Sequence, residues 1–312
     1  MYYPYFRGKQ FDLLAIKESA QLFAKNNFTP IIEPVRESLN GLKRSIEALT
    51  NEGASAVLIV NPLYGDHTEK AEAIQRFVIE ELNEHRNISV GILLNNETSL
   101  DEILQLCEEY VDRPIYFIHC GFAEARSLAE ATQARHPRVR HIFIDNHSSK
   151  PYRKHFADYE RILLRNGFKR QANRKYPDTE FFSDLHVTFE DEGVNGFGDY
   201  LIVGDEYSET GGPAYAVAIH ITFIDPNMDD VMYIHHFKSI RQDTPTDPAG
   251  KFYEALTKLV EEVQKPDSKI LKTSAIEEFI ELYNRQHFPG LGYIKKLSMK
   301  HHIELMSDYL GR

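Results

Sequence analysis

Short apolar runs recur along the first half of the chain, each closed by polar or turn-forming residues and each followed by residues at helical spacing. Residues 2–6 are aromatic and close on Arg7-Gly8-Lys9-Gln10, after which Phe11, Leu14, Ala15, Ser19, Leu22 and Phe23 follow helical spacing. Runs at 31–35, 56–60, 90–94, 114–118 and 141–144 predict the next five strands. Between them, helices are predicted over 41–50, 68–85, from Ser99 or Asp101 to 110, and over 123–135. The strands are apolar almost throughout, as a parallel sheet covered by helices requires.

The rhythm breaks after Asp145. Residues 148–195 read as an excursion in which only 161–166 and 181–188 suggest a short strand or helix. It resumes at 200–203 and 215–223, which are expected to be strands seven and eight. Eight parallel strands gain by closing on themselves, because closure removes both edges, so the expected fold is α/β, a (β/α)8 TIM-barrel-like domain with an irregular insertion after strand six. An open doubly wound sheet would call for a glycine-rich phosphate loop after an early strand, and Gly8 stands alone there. Residues 232–239 alternate as a hairpin partner for strand eight, a helix over 248–264 covers it, and helices over 274–285 and 297–310 follow. The expected division is a barrel over 1–265, with its insertion at 148–195, and a C-terminal helical extension over 266–312 packed on the barrel.

Charge adds a second pattern. Residues 150–175 carry nine Lys or Arg against two acids, whereas 176–212 carry ten acids and no Lys or Arg. Such neighbouring blocks neutralise each other across a folded surface by default; the sharper reading is a local basic face for an anionic partner. The net charge of −11 and pI near 5.7 argue against a general affinity for nucleic acid, leaving only that local face. Two cysteines, Cys107 and Cys120, do not make a disulfide framework, and a reducing cytoplasm is the expected setting. The N-terminus lacks the order of a signal peptide, and no apolar run reaches membrane-spanning length, so no membrane partner is expected.

In a barrel the strand C-terminal ends share one face, and that face carries the active site. The residues placed there are Arg7, Lys9, Glu33, Asn61, Asn95, His119, Asp145 and Asp205, with His220 from strand eight. Asn61, Asn95 and Asp145 also suit helix capping, which is the commoner use of such residues. Glu33 lies inside an apolar run before Pro34 and needs a charged partner, for which Arg7 or Lys9 is the natural choice. The expected catalytic set is Glu33, His119, Asp145 and Asp205; the expected substrate-binding set is Arg7, Lys9, Asn61, Asn95, Asp199 and His220. Asp199 precedes its strand, which favours a structural role. The adjacent pairs His235-His236 and His301-His302 diverge on either kind of element, so no metal site is expected, and no cofactor is indicated.

Tyr3-Pro4-x-x-Arg7-Gly8-Lys9-Gln10, Pro30-Ile31-Ile32-Glu33-Pro34 and Phe197-Gly198-Asp199-Tyr200 resemble the bacterial and phage beta-protein family. The resemblance implies a barrel-like fold in a cytoplasmic bacterial protein, linked to phage-defence gene neighbourhoods beside a companion nuclease-like protein. It assigns no reaction and no catalytic residue.

Two functions therefore stand. One is a hydrolase or transferase acting on a phosphorylated or nucleotide-like substrate, an anionic small molecule held by Arg7 or Lys9 with a carboxylate as base. The other is a non-catalytic subunit that binds the companion protein or nucleic acid through the basic segment 150–175.

Overall fold

A computed structural model describes residues 1–68, 71–133, 136, 138–209, 212 and 215–312. Residues 69–70 of the helix expected over 68–85, and 134–135 of that expected over 123–135, lie outside the described residues. The strands in chain order are β1 (Tyr5–Phe6), β2 (Ile31–Ile32), β3 (Ala56–Ile59), β4 (Ile88–Leu94), β5 (Ile115–His119), β6 (Arg140–Ile144), β7 (Arg161–Leu164), β8 (Thr179–Ser183), β9 (Gly196–Gly198), β10 (Ala218–Asp225) and β11 (Val231–Lys238).

Strands β1 to β7 and β9 form an eight-stranded sheet in that order, every neighbour pair parallel. Its two ends meet. Tyr2 bridges Phe197, Tyr3 N–H donates to Phe197 O at 2.8 Å, and Tyr5 N–H donates to Asp199 O at 2.9 Å. The sheet is thus a (β/α)8 barrel, and edge closure satisfies backbone groups that would otherwise be left unpaired. Strands β3 and β4 are buried along their whole length, as the apolar run of β3 and, apart from Ser89, that of β4 require. Each Val, Leu or Ile so buried stabilises the fold by roughly 1.5–3 kcal/mol.

The last two barrel strands differ from those expected. Strand seven is β7, inside the stretch read as an insertion, and strand eight is β9; residues 200–203 form a turn with Leu201 at φ 50° and Gly204 at φ 78°. Packing decided this where apolarity did not. A Cβ on Gly198 would lie 2.0 Å from Tyr3 O and 2.5 Å from a Leu164 methyl, so only a glycine lets β9 slot between the first strand and β7. The irregular excursion accordingly follows strand seven and not strand six.

The chain divides into two compact units, 1–165 with 188–199, and 166–187 with 200–312, where the sequence suggested 1–265 and 266–312. The second unit is built on an antiparallel sheet in the order β10-β11-β8, so the run expected as barrel strand eight pairs within a hairpin instead. Helices Pro248–Gln264, Ser274–Asn284 and Leu291–Leu310 share a core with this sheet, joining Ile219 and Ile221 to Leu256, Phe279 and Leu297. The C-terminal helices therefore belong to a second hydrophobic core. Among the described residues, no helix is long and apolar enough to cross a membrane.

Candidate functional site

Side-chain alternation turns Tyr3, Tyr5 and Arg7 to one face of the first strand. The Tyr3 ring lies 6.2 Å from that of Tyr116 on β5, across the ring of strands, so this face is the barrel interior. At its C-terminal end stands Glu33. Its carboxylate accepts from Tyr5 Oη–H and from Leu63 N–H, both at 2.9 Å, and faces Arg7 Nε at 3.5 Å. Two glycines bring the backbones close enough for this. Gly8, at φ 59°, would place a Cβ 2.8 Å from Glu33 O, and Gly65, at φ 84°, 2.2 Å from Val35 O.

Glu33 is 1% exposed. Burial raises its pKa, and the opposing effects of Arg7, the Tyr5 hydroxyl and the Leu63 and Tyr64 amides do not cancel that rise. The Arg7 guanidinium stacks 4.6 Å from the Tyr64 ring centre, so a solvent-facing ring covers the ion pair. A carboxyl whose pKa is raised by burial, fixed beside a cation, is the kind of group that can exchange a proton with a bound molecule. Lys9 follows at the turn into helix Gln10–Glu18, half-buried.

The other expected residues are used differently. Asn61 pairs with β4 like a backbone unit, its Nδ2 donating to Leu93 O at 2.9 Å while Leu93 N–H donates to its Oδ1 at 2.8 Å. Asn95 Oδ1 accepts from Glu97 N–H, Thr98 N–H and Thr98 Oγ1, which ties a turn. Both carboxamides flank a groove of about 420 Å³ that also contacts Glu102 and Glu109. Asp145 is held by Arg165 at 2.7 Å and Arg153 at 3.4 Å. Glu192 takes Arg153, Lys150 and Arg165 at 3.0, 3.1 and 3.6 Å. Part of the basic block is therefore neutralised by the acid block, as the simpler reading had it, while Lys169, Arg170, Arg174 and Lys175 remain exposed.

His119 belongs to the outer face. It stacks on Phe143 and packs against Phe156, with Nδ1 2.7 Å from Tyr152 Oη and Nε2 3.0 Å from His141 Nδ1. Burial, and then His141, push its pKa well below the usual histidine range. Asp199 accepts from Tyr2 Oη–H at 2.9 Å and locks the barrel seam. Asp205 and His220 lie in the second unit, the first accepting from Asn166 Nδ2 at 2.7 Å and the second on β10. Of the ten residues, Arg7 and Glu33 form an ion pair, and Asn61 and Asn95 share a groove. The physical reason is that barrel strands end at one face but only alternate residues turn inward, and His119 falls on the other set.

Tyr5 and Tyr64 were missed. Tyr5 was within reach, two residues before Arg7 on the same strand face; Tyr64 comes from a loop, and nothing local marks it. A cavity of about 620 Å³ opens at the opposite end of the barrel among Arg113, Arg138, Arg140, Asp158 and Glu160. In barrels of this kind that face serves stability. Arg140 there is held by Glu160 at 2.7 Å and Tyr116 at 2.5 Å. No group of three or more His, Cys, Asp or Glu side chains is placed to hold a metal ion among the described residues.

No family model and no curated sequence relative matches the chain. Among solved structures it is similar to a GH138 enzyme targeting pectin rhamnogalacturonan II, at 8% identity and TM-score 0.40 over 64% of this chain and 34% of that one. It spans about a third of that protein. It is also similar to the sialic acid aldolase of Ruminococcus gnavus, at 12% identity and TM-score 0.40 over 64% of this chain and 67% of that one. A third likeness is to N-acetylneuraminate lyase from Mycoplasma synoviae, at 9% identity and TM-score 0.40 over 64% and 68%. Likenesses this distant carry nothing about chemistry.

Proposed function

We propose that the barrel unit is a hydrolase or transferase acting on a phosphorylated or nucleotide-like small molecule, in the cytoplasmic, phage-defence setting that the sequence resemblance implies. The observation that carries this reading is Glu33, a buried carboxyl with a raised pKa at the C-terminal end of the barrel strands, fixed by Tyr5, Leu63 N–H and Arg7. Glu33 takes the proton of an attacking water or hydroxyl as the new bond to phosphorus forms, and returns it to the leaving oxygen as the old bond breaks. Arg7 and Lys9 supply positive charge for the anionic group.

A buried ion pair can also be purely structural. The two roles separate in one experiment: nucleotides and phosphorylated metabolites are screened by thermal shift, and turnover of any ligand found is compared between wild type and Glu33→Gln. A stabilising ligand whose turnover falls by about 100-fold or more in the variant supports the reading. A screen with no shift, or a variant with full turnover, ends it.

A second reading is favoured by the exposed Lys169, Arg170, Arg174 and Lys175. In it, the companion nuclease-like protein or a nucleic acid binds through that segment, and charge reversal at Lys169 and Arg170 abolishes the complex.

A further inference from the structure

In the second unit, β10 and β11 are antiparallel neighbours, and His220 stands directly opposite His236. Their Nδ1 atoms are 2.6 Å apart, and His236 Nε2 lies 3.0 Å from Oε1 of Glu180 on β8, the next strand. One carboxylate therefore sets both tautomers. Glu180 can only accept, so His236 Nε2 carries a hydrogen; neutral His236 then offers a lone pair at Nδ1, and His220 Nδ1 must donate to it. His220 Nε2 is left as an acceptor. It makes no hydrogen bond among the described residues, and since it is not one of the sealed, unpartnered side-chain atoms and His220 is half-buried as a residue, it is open to a ligand.

The surroundings indicate what that ligand carries. The rings of Phe168 and Tyr176 stand edge-on to His220 at 5.1 and 4.9 Å, and Tyr176 also stacks on His236 at 4.3 Å. The same two residues bracket the segment 169–175, whose Lys169, Arg170, Arg174 and Lys175 are all exposed. The segment is tied down by Asn173 Nδ2 donating to Ala216 O at 2.8 Å and Gln171 N–H donating to Tyr176 Oη at 3.1 Å. A walled, tautomer-fixed base thus sits beside a run of cations spaced along a chain, the arrangement that suits a phosphate ester.

We propose that Glu180, His236 and His220 form a second catalytic site, in which His220 Nε2 is the base for hydrolysis of a phosphodiester held by the cations of 169–175. A water oxygen bonds to phosphorus and passes its proton to Nε2. The bond from phosphorus to one ester oxygen breaks, and the departing alkoxide takes a proton from the imidazolium, which restores the neutral ring. His236 and Glu180 do not touch the diester; they are positioning residues that hold the tautomer and share the transient positive charge. Burial, then His236 and Lys295, keep free His220 down at about 3, so its lone pair is available at any ordinary pH. A bound phosphate brings negative charge beside the ring, which raises its basicity when the site is filled. The proposal stands apart from the Glu33 reading, since it concerns other residues in another unit.

The full chain is assayed on bis(p-nitrophenyl) phosphate and on an end-labelled single-stranded oligonucleotide, as wild type, His220→Gln and Glu180→Gln. Cleavage of the oligonucleotide alone identifies a nucleic-acid strand as the source of the diester; cleavage of both identifies diesters in general. His220→Gln is expected to lower turnover by about 100-fold or more. Glu180→Gln is expected to lower kcat with little change in KM and to move the acid limb of the pH profile. No cleavage of either probe, or full activity in His220→Gln, overturns the proposal. Imidazole nitrogen chemical shifts test the tautomer even if a variant fails to fold: a bare Nε2 on His220 in the wild-type chain is expected, and a protonated one in the neutral ring overturns the assignment.

Discussion

The two histidine pairs of this protein are built alike and end differently. In the barrel unit His119 and His141, on neighbouring parallel strands, share one hydrogen bond; in the second unit His220 and His236, on neighbouring antiparallel strands, share another. The first chain runs from a phenol, Tyr152, to His141 Nε2, which is buried with no hydrogen-bond partner. The second runs from a carboxylate to a reachable nitrogen. A pair of imidazoles is therefore not a site in itself. What distinguishes a working pair is an anion to set its tautomer and an open end for a ligand, whereas the sealed pair contributes packing, with Phe143, Phe156 and Tyr159 around it.

The sharpest way to break this contrast is to damage each unit by itself. Gly198→Ala, which forces a Cβ onto Tyr3 O, is expected to cost about 3 kcal/mol or more in overpacking, read by urea unfolding with a barrel-specific probe such as Tyr116. Truncating the sealed pair comes next. His119→Ala opens a cavity and strips Tyr152 Oη and His141 Nδ1 of their partner, for an expected loss of about 3 kcal/mol. The same change at half-buried His220 is expected to cost only about 1 kcal/mol in stability while removing the activity proposed for it. Equal losses at the two positions would erase the distinction.

Acid sharpens the comparison further. His141 and His220 are held down at about 3 and His236 at about 4, in each case chiefly by burial. Unfolded, they take up protons near pH 6.5, so the folded state binds fewer protons below that value. Stability is thus complete above about pH 6.5 and falls as the pH drops toward 3, by roughly 1.4 kcal/mol per unit for each histidine. His141→Phe should remove one such contribution together with the unpartnered nitrogen, flattening the acid limb of a urea-unfolding series. A saturating phosphodiester should flatten the limb through His220 and leave that of His141 unchanged. The smallest expected effect on stability is from Lys169→Glu with Arg170→Glu, within about 0.5 kcal/mol. Polyanion binding, measured by fluorescence anisotropy at several salt concentrations, should nonetheless weaken and lose part of its salt dependence.

Much of the candidate chemistry was legible, and the gaps have physical causes. Glu33 was marked by its own incongruity, a carboxylate inside an apolar run, and Arg7 was the cation one strand away. His220 was named for the wrong neighbourhood. The hairpin that pairs it with His236 was itself readable in outline, while the exact register comes from the connection over 226–230, centred on Met228, which puts residues equidistant from it opposite each other. Glu180 was not readable as a partner, because β8 comes from a distant stretch and joins the sheet only in three dimensions.

Periodicity by itself determined the first six strands, their parallel direction and the helices between them, because local alternation and helical spacing report burial residue by residue. Which runs complete the barrel was left to tertiary structure. Gly-Phe-Gly displaced the more apolar 201–203 because the space between Tyr3 and Leu164 admits no side chain, a fact about distance between segments that no local pattern contains. The same holds for the second core and for the Glu180–His236–His220 chain: burial is written along the sequence, but partnership is decided only when remote strands come side by side.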